Sequence, residues 1–233
     1  MFVAESRSVS CADAVSSKLE HFAKSFSMAK FVVYKLPTPA PDHDTLLEFA
    51  SRLKALRLQT LKEDPDSWIS LYEREADQPQ EFWLSRLEDS LATHLVLVSV
   101  DSSHDASEGG TAALLKGEWV GFVVILAPEL HQDDTADHME STSAEYLMAT
   151  VSVGPDVRGQ GLGKRLVQAA IQTARNSALE MHISSSCLTA NVRHGNDHAL
   201  QLYQKLGFRI IDPEYHGEKE GRPYTSNILR VDL

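Results

Sequence analysis

Residues 151–171, VSVGPDVRGQGLGKRLVQAAI, set four glycines and the cations Arg158, Lys164 and Arg165 between two apolar segments. An apolar strand feeding a glycine-rich turn and then a helix start is a general phosphate site. The first amides of a helix lack intrahelical partners, and the helix dipole favours negative charge there. Cations in a first helical turn oppose that dipole unless an anion sits among them. Two familiar versions of such a loop fail residue by residue. A Walker A loop needs glycine at the position of Arg158 and Ser or Thr at that of Arg165. The dinucleotide fingerprint G-x-G-x-x-G, started at Gly159 and Gly161, would need its third glycine where the chain has Lys164.

A third version fits. RGQGLG (158–163) follows R/Q-x-x-G-x-G/A, and downstream NDHALQLYQKLGF (196–208) follows N-x-x-A-x-x-L-Y-x-K-x-G-F at every fixed position. With these two signatures in order, separated by a predicted helix and strand, the chain resembles the GNAT superfamily of acyl-CoA-dependent N-acetyltransferases. The resemblance implies that acetyl-CoA is the co-substrate, held by the backbone of Val151, Ser152 and Val153 and by the loop Arg158, Gly159, Gln160, Gly161, Leu162, Gly163 and Lys164. Asn196 would contact the pantetheine arm, cap the following helix, or do both. The implied reaction is direct attack of an amine on the thioester, with no metal. The implied fold is α/β, a mixed and mostly antiparallel sheet of about seven strands flanked by about four helices and splayed at the cofactor.

Two residues are candidates for the chemistry. An alkylammonium of pKa ~10.4 must lose a proton before attacking, at a cost of about 4–5 kcal/mol at pH 7. Some base or water chain has to serve that step. Glu145, on the strand entering the glycine loop, matches the position of the general base in histone-modifying relatives; a solvated glutamate at a strand start reads as well. Tyr203, in QLYQKLGF, stands where the resemblance places a tyrosine near the thioester sulfur, as acid or hydrogen-bond donor to the leaving thiolate. A tyrosine of the core is its other reading.

Periodicity places these residues on elements. Strands are expected at KFVVYKL (30–36), THLVLVSV (93–100), EWVGFVVIL (118–126), EYLMATVSV (145–153) and CLTANV (187–192), then at FRII and TSNILRV. A helix is expected to start near Thr45, which has capping-box spacing to Glu48, and to stop before Pro65. A second is expected from Gln80, a third from Gly163 to about Leu179, and a fourth over 198–206, ended by Gly207. Residues 101–117 and 127–144 read as long polar connections, and Pro155, which cannot continue a ladder, is expected to help the fourth strand splay. Residues 1–29 read as an N-terminal extension and 30–233 as one domain.

Composition narrows the partners. A net charge of −11 argues against a nucleic-acid footprint. No run of ~18 apolar residues suggests a membrane span. Two cysteines, Cys11 and Cys187, fit a reducing compartment, so a cytoplasmic or nucleocytoplasmic protein is expected. His104, His131 and His138 lack metal-ligand spacing; His194 and His198 flank the Asn196 motif and are candidates for the acceptor site. From Gly117 to Val157 there are eight acids, among them Asp133, Asp134, Asp137 and Glu140, and no Lys or Arg. Electrostatic steering by these acids would suit a cationic amine. The helical region before residue 93 is similar to that of small-molecule acetyltransferases, so a small amine acceptor is expected, to a monomer or homodimer.

Overall fold

The β-branched and aromatic runs become one seven-stranded sheet in the computed structural model, which describes residues 30–100, 110–128, 143–219 and 221–233. Its strands are β1 (Lys30–Lys35), β2 (Ala92–Val100), β3 (Glu118–Leu126), β4 (Ser143–Val153), β5 (Ser185–Arg193), β6 (Arg209–Lys219) and β7 (Arg222–Asp232). Their spatial order is β1-β2-β3-β4-β5-β7-β6. All neighbours are antiparallel except β4 and β5. A parallel pair needs a crossover, and α5 (Leu162–Glu180) supplies it.

The other helices are α1 (His43–Glu63), α2 (Tyr72–Ala76), α3 (Gln80–Glu88), α4 (Gly110–Lys116) and α6 (Asp197–Lys205). Among the described residues there are thus six α-helices, against about four expected. Helix α2 has only five residues, too short for a periodic signal. Helix α4 lies inside the stretch read as polar connection. It forms because Ala113 and Leu114 bury themselves, and the Trp119 indole donates to the Leu114 carbonyl at 2.8 Å. The cap of α1 also differs from the expectation. Asp42, not Thr45, is the N-cap; its carboxylate accepts from the Thr45 amide at 2.7 Å and from the Thr45 hydroxyl at 2.9 Å. A carboxylate three residues earlier satisfies the same orphan amide that the capping box would have served.

Apolar side chains cover both faces of the sheet. On one face α5 lays Leu166, Val167, Ala170 and Ala174 against Leu97, Val123, Tyr146 and Leu188. On the other, α1 and α3 pack Phe49, Leu53 and Trp83 over Val96, Val98 and Phe122. Residues 1–29, Cys11 among them, and His104, His131, His138 and the acids Asp133, Asp134, Asp137 and Glu140 lie outside the described residues.

Candidate active site

The sheet comes apart in its middle. Strands β4 and β5 are paired from Ser143↔Ser185 to Met148↔Ala190 and no further, although both continue, to Val153 and Arg193. Beyond that point β4 pairs only with β3, and β5 only with β7. The cause is visible in the register. Val124 of β3 faces Thr150 while Ile125 faces Met148, so Ala149 is an extra residue. A β-bulge bends its strand and increases the local twist. This revises the role given to Pro155. The strands have parted by Ala149, and Pro155 merely opens a short 3₁₀ turn, Pro155–Val157. The free edge of β4 therefore includes Val151, Ser152 and Val153, the residues expected along the pantetheine arm.

Past that edge the chain turns into α5 through two left-handed glycines, Gly159 (φ 78°) and Gly161 (φ 74°). A Cβ on either would meet no protein atom within 4 Å. Packing therefore does not require these glycines; the backbone conformation does, and the space before them is open. Gly161 is the N-cap of α5, and no side chain caps the helix. The amides of its first turn are thus available to an anion, with Gln160, Gly161 and Lys164 exposed beside them. These features fit the pyrophosphate of a coenzyme A.

The three cations divide differently from the expectation that all of them gather round phosphates. Arg165 donates to the Phe31 carbonyl at 2.7 Å and so holds β1 to α5. Arg158 donates to the Val153 carbonyl at 3.0 Å and pairs with Asp64 at 3.0 Å. Lys164 is exposed.

A cavity of about 530 Å³ occupies the parted region. Its lining combines Leu53 and Phe122 from the α1 face with Met148, Ala199 and Tyr203 from the α5 face. The cavity thus joins the two faces through the gap. Val151 and Asn196 line it too. Asn196 is the N-cap of α6, accepting from the Ala199 amide at 3.1 Å, so the capping part of its expected role is present. Tyr203 is 7% exposed, and burial alone raises its pKa above the ordinary phenol value. Glu145 is exposed at the start of β4, beside Cys187 in register, two residues before the cavity-lining Leu147. His194 and His198 are exposed and do not line the cavity; His194 Nε2 instead lies 2.9 Å from the Pro213 carbonyl.

The wall on the α1 side contains polar groups that the sequence reading passed over. Arg57 donates from Nη2 and Nε to the two oxygens of Glu75, at 2.7 and 3.0 Å, and its guanidinium lies 4.5 Å from the Trp68 ring centre. Burial opposes ionisation of Glu75, but hydrogen bonds and charge from Arg57, with Arg86 and Ser70, outweigh it and hold the carboxyl below its ordinary range. Lys219 of β6 donates to the Ser70 hydroxyl at 2.7 Å, and Arg193 to the Trp68 carbonyl at 3.0 Å. The segment between α1 and α2 is thereby tied to both β5 and β6. His94 of β2 is 4% exposed and lines the cavity; burial, then the charge of Arg86, lowers its pKa to about 4. One signal was available for Arg57. It falls on the buried stripe of α1, with Leu53, Leu56 and Leu61, where a charge needs a reason. No such signal marks His94. Among the described residues, no three His, Cys, Asp or Glu cluster as a metal site would require.

The sequence model of the Acetyltransferase (GNAT) family matches residues 59–208. The peptidyl-lysine N-acetyltransferase YjaB of Salmonella typhimurium is 33% identical over 134 residues, 54% of this chain and 79% of that protein. The L-methionine sulfoximine/L-methionine sulfone acetyltransferase of Pseudomonas paraeruginosa is 34% identical over 86 residues, 36% of this chain and 46% of that one. In fold the chain is similar to Arabidopsis thaliana NAA60, solved in complex with acetyl-CoA, with a TM-score of 0.57 at 16% identity over 88% of this chain and 99% of that one.

Proposed function

The chain belongs to the acetyltransferase (GNAT) family, and on that premise we propose that it moves an acetyl group from acetyl-CoA to the primary amine of a small molecule. The observation that carries this reading is the coincidence of three features at one place. They are the parted β4–β5 edge and the buried Tyr203 on a shared cavity, and the open glycine turn into which that edge runs after Val153. When bound, acetyl-CoA supplies the activated acyl group as a thioester.

The chain's own residues have separable tasks. Amides from Gly159 to Lys164 hold the pyrophosphate, and the free edge of Val151–Val153 offers backbone groups to the pantetheine arm. Asn196 keeps α6 in place at the cavity and fixes Tyr203 about two turns further along that helix. The Tyr203 hydroxyl, a weaker acid than an ordinary phenol, stays protonated and donates a hydrogen bond to the leaving thiolate rather than surrendering its proton fully. Glu145 takes the ammonium proton through water, because roughly two residues of strand, ~7 Å, separate it from Leu147 in the cavity wall.

A second reading, transfer to a lysine side chain or an N-terminus of a protein, is favoured by the name of the 33% identical Salmonella relative. Thiol release from acetyl-CoA, measured over a panel of small amines, amino acids and peptides, separates these readings. Turnover on small amines supports the first, and turnover confined to peptides overturns it in favour of the second. Tight acetyl-CoA binding with no turnover on any amine would leave a binding module and overturn both.

A further inference from the structure

The charge of the cavity runs against that of the molecule. The chain carries 33 acids and 22 Lys or Arg, yet among the described residues the ionised groups lining the cavity are Arg57, Arg86, Arg193 and Lys219 against Asp89 and Glu218. Of the acids between Gly117 and Val157 that suggested a cationic acceptor, the described ones, Glu118, Glu145 and Asp156, do not line it. Glu75, placed behind Arg57 and 3.5 Å from Arg86, balances only one of the two guanidinium charges. The hydrogen bond of Arg193 goes to the neutral carbonyl of Trp68, which leaves its charge uncompensated by that contact.

Two buried polar atoms around this cavity have no hydrogen-bond partner among the described residues. One is a donor, Arg57 Nη1, on a side chain only 6% exposed; the other is an acceptor, Asn191 Oδ1. Both residues line the cavity. A buried guanidinium N–H without an acceptor is among the costlier defects a fold can carry, and an orphan of this kind asks for a missing partner. A donor lacking an acceptor and an acceptor lacking a donor, on two residues of one cavity lining, point to a ligand with both an anion and an N–H.

Coenzyme A phosphates do not answer the charge of Arg86. They are assigned to the glycine turn that follows Val153. Helix α3 and Arg86 lead into the other end of the sheet rows, where Ala92, Leu126 and Leu147 stand in register. Leu147 is six residues before Val153, roughly 20 Å of strand.

We infer that the acceptor carries a carboxylate close to its amine, as a free amino acid does, with the carboxylate against the Arg57–Arg86–Arg193 wall and the amine toward Asn191 and Tyr203. This rests on the transferase reading and narrows it. Guanidinium–carboxylate contacts are the strong, orienting kind, because the planar fork matches two oxygens. They would place the amine and leave it free for the thioester.

The test compares matched acceptors on the purified full chain: several α-amino acids, their carboxamides, and the amines that lack the carboxyl altogether. Loss of the carboxylate should lower kcat/KM about tenfold or more. Arg86→Gln should raise KM for the carboxylate acceptors by about tenfold with kcat nearly kept, and Arg86→Lys should recover part of the loss. Neither variant should change KM for the carboxamides or the dissociation constant of acetyl-CoA. Arg57→Gln leaves Glu75 buried without its main partner, so its thermal unfolding is measured beside its kinetics. The 38% exposed Arg86 carries the test independently of that fold. Carboxamides or simple amines that react as fast as the acids, or an Arg86→Gln effect equal on all acceptors, overturn the inference and leave the transferase standing. No turnover on any amine overturns the transferase reading and this inference together.

Discussion

Tyr203 packs its ring 5.5 Å from that of Phe208 and is held in the cavity wall by helix α6, whose first residue follows the Asn196 cap. Burial of a phenol favours the neutral form, so its proton is held more firmly than at the ordinary value of ~10. A group of this kind stabilises a thiolate by donating to it. Tyr203→Phe keeps the ring and removes the donor. It should reduce kcat about 100-fold, the lower end for positioned acids, while acetyl-CoA affinity stays within about twofold. Single-turnover rates with calorimetric binding separate the two quantities; an unchanged kcat would remove the residue from the chemistry. The place of Tyr203 in the cavity wall was legible because its motif is contiguous. Arg57, Glu75, Arg86 and Asn191 come from four separate elements, and no local spacing relates residues that only the fold brings together.

Elements decide where the site opens. The glycine turn and the Arg165 contact lie four residues apart, yet they should respond to substitution in opposite ways. Gly161→Val forces a β-branched residue into a left-handed conformation and fills the open space before α5. Acetyl-CoA binding by calorimetry should be lost, with a stability cost of about 1–2 kcal/mol. Arg165→Ala removes the tie to the Phe31 carbonyl. It should cost about 1 kcal/mol in urea unfolding and leave acetyl-CoA affinity unchanged. A drop in affinity would return Arg165 to the phosphate site. All seven strands were legible as apolar runs between turn signals, although β6 was read as four residues and spans eleven. Its pattern is almost wholly exposed, so no alternation announces its length. The bulge at Ala149 was illegible for a different reason: register is a relation between two strands, and neither strand records it alone.

For the whole molecule, the buried imidazole of His94 ties global stability to pH. Its folded pKa of about 4 lies below the ordinary ~6.5, so the fold favours the neutral ring. That contribution is fully present above ~6.5 and is lost as pH falls toward about 4, by up to about 3 kcal/mol. Urea unfolding at pH 7.5 and 5.0 should therefore show a drop of about 2 kcal/mol that His94→Gln largely removes. An equal drop in the variant would place the acid sensitivity elsewhere.

The extra residue at Ala149 also has a kinetic consequence. Because the strands part there, one cavity is lined from both faces of the sheet, by Tyr203 on the α5 side and by Arg57 of α1 on the other. A cavity lined from both faces has room for donor and acceptor together, and neither must depart before the other arrives. Initial-rate plots at varied concentrations of both substrates should then intersect, the mark of a ternary complex, and the parallel lines of a shuttle through an acyl-enzyme should be absent. One inserted residue in one strand thus shapes the order of events as well as the shape of the site.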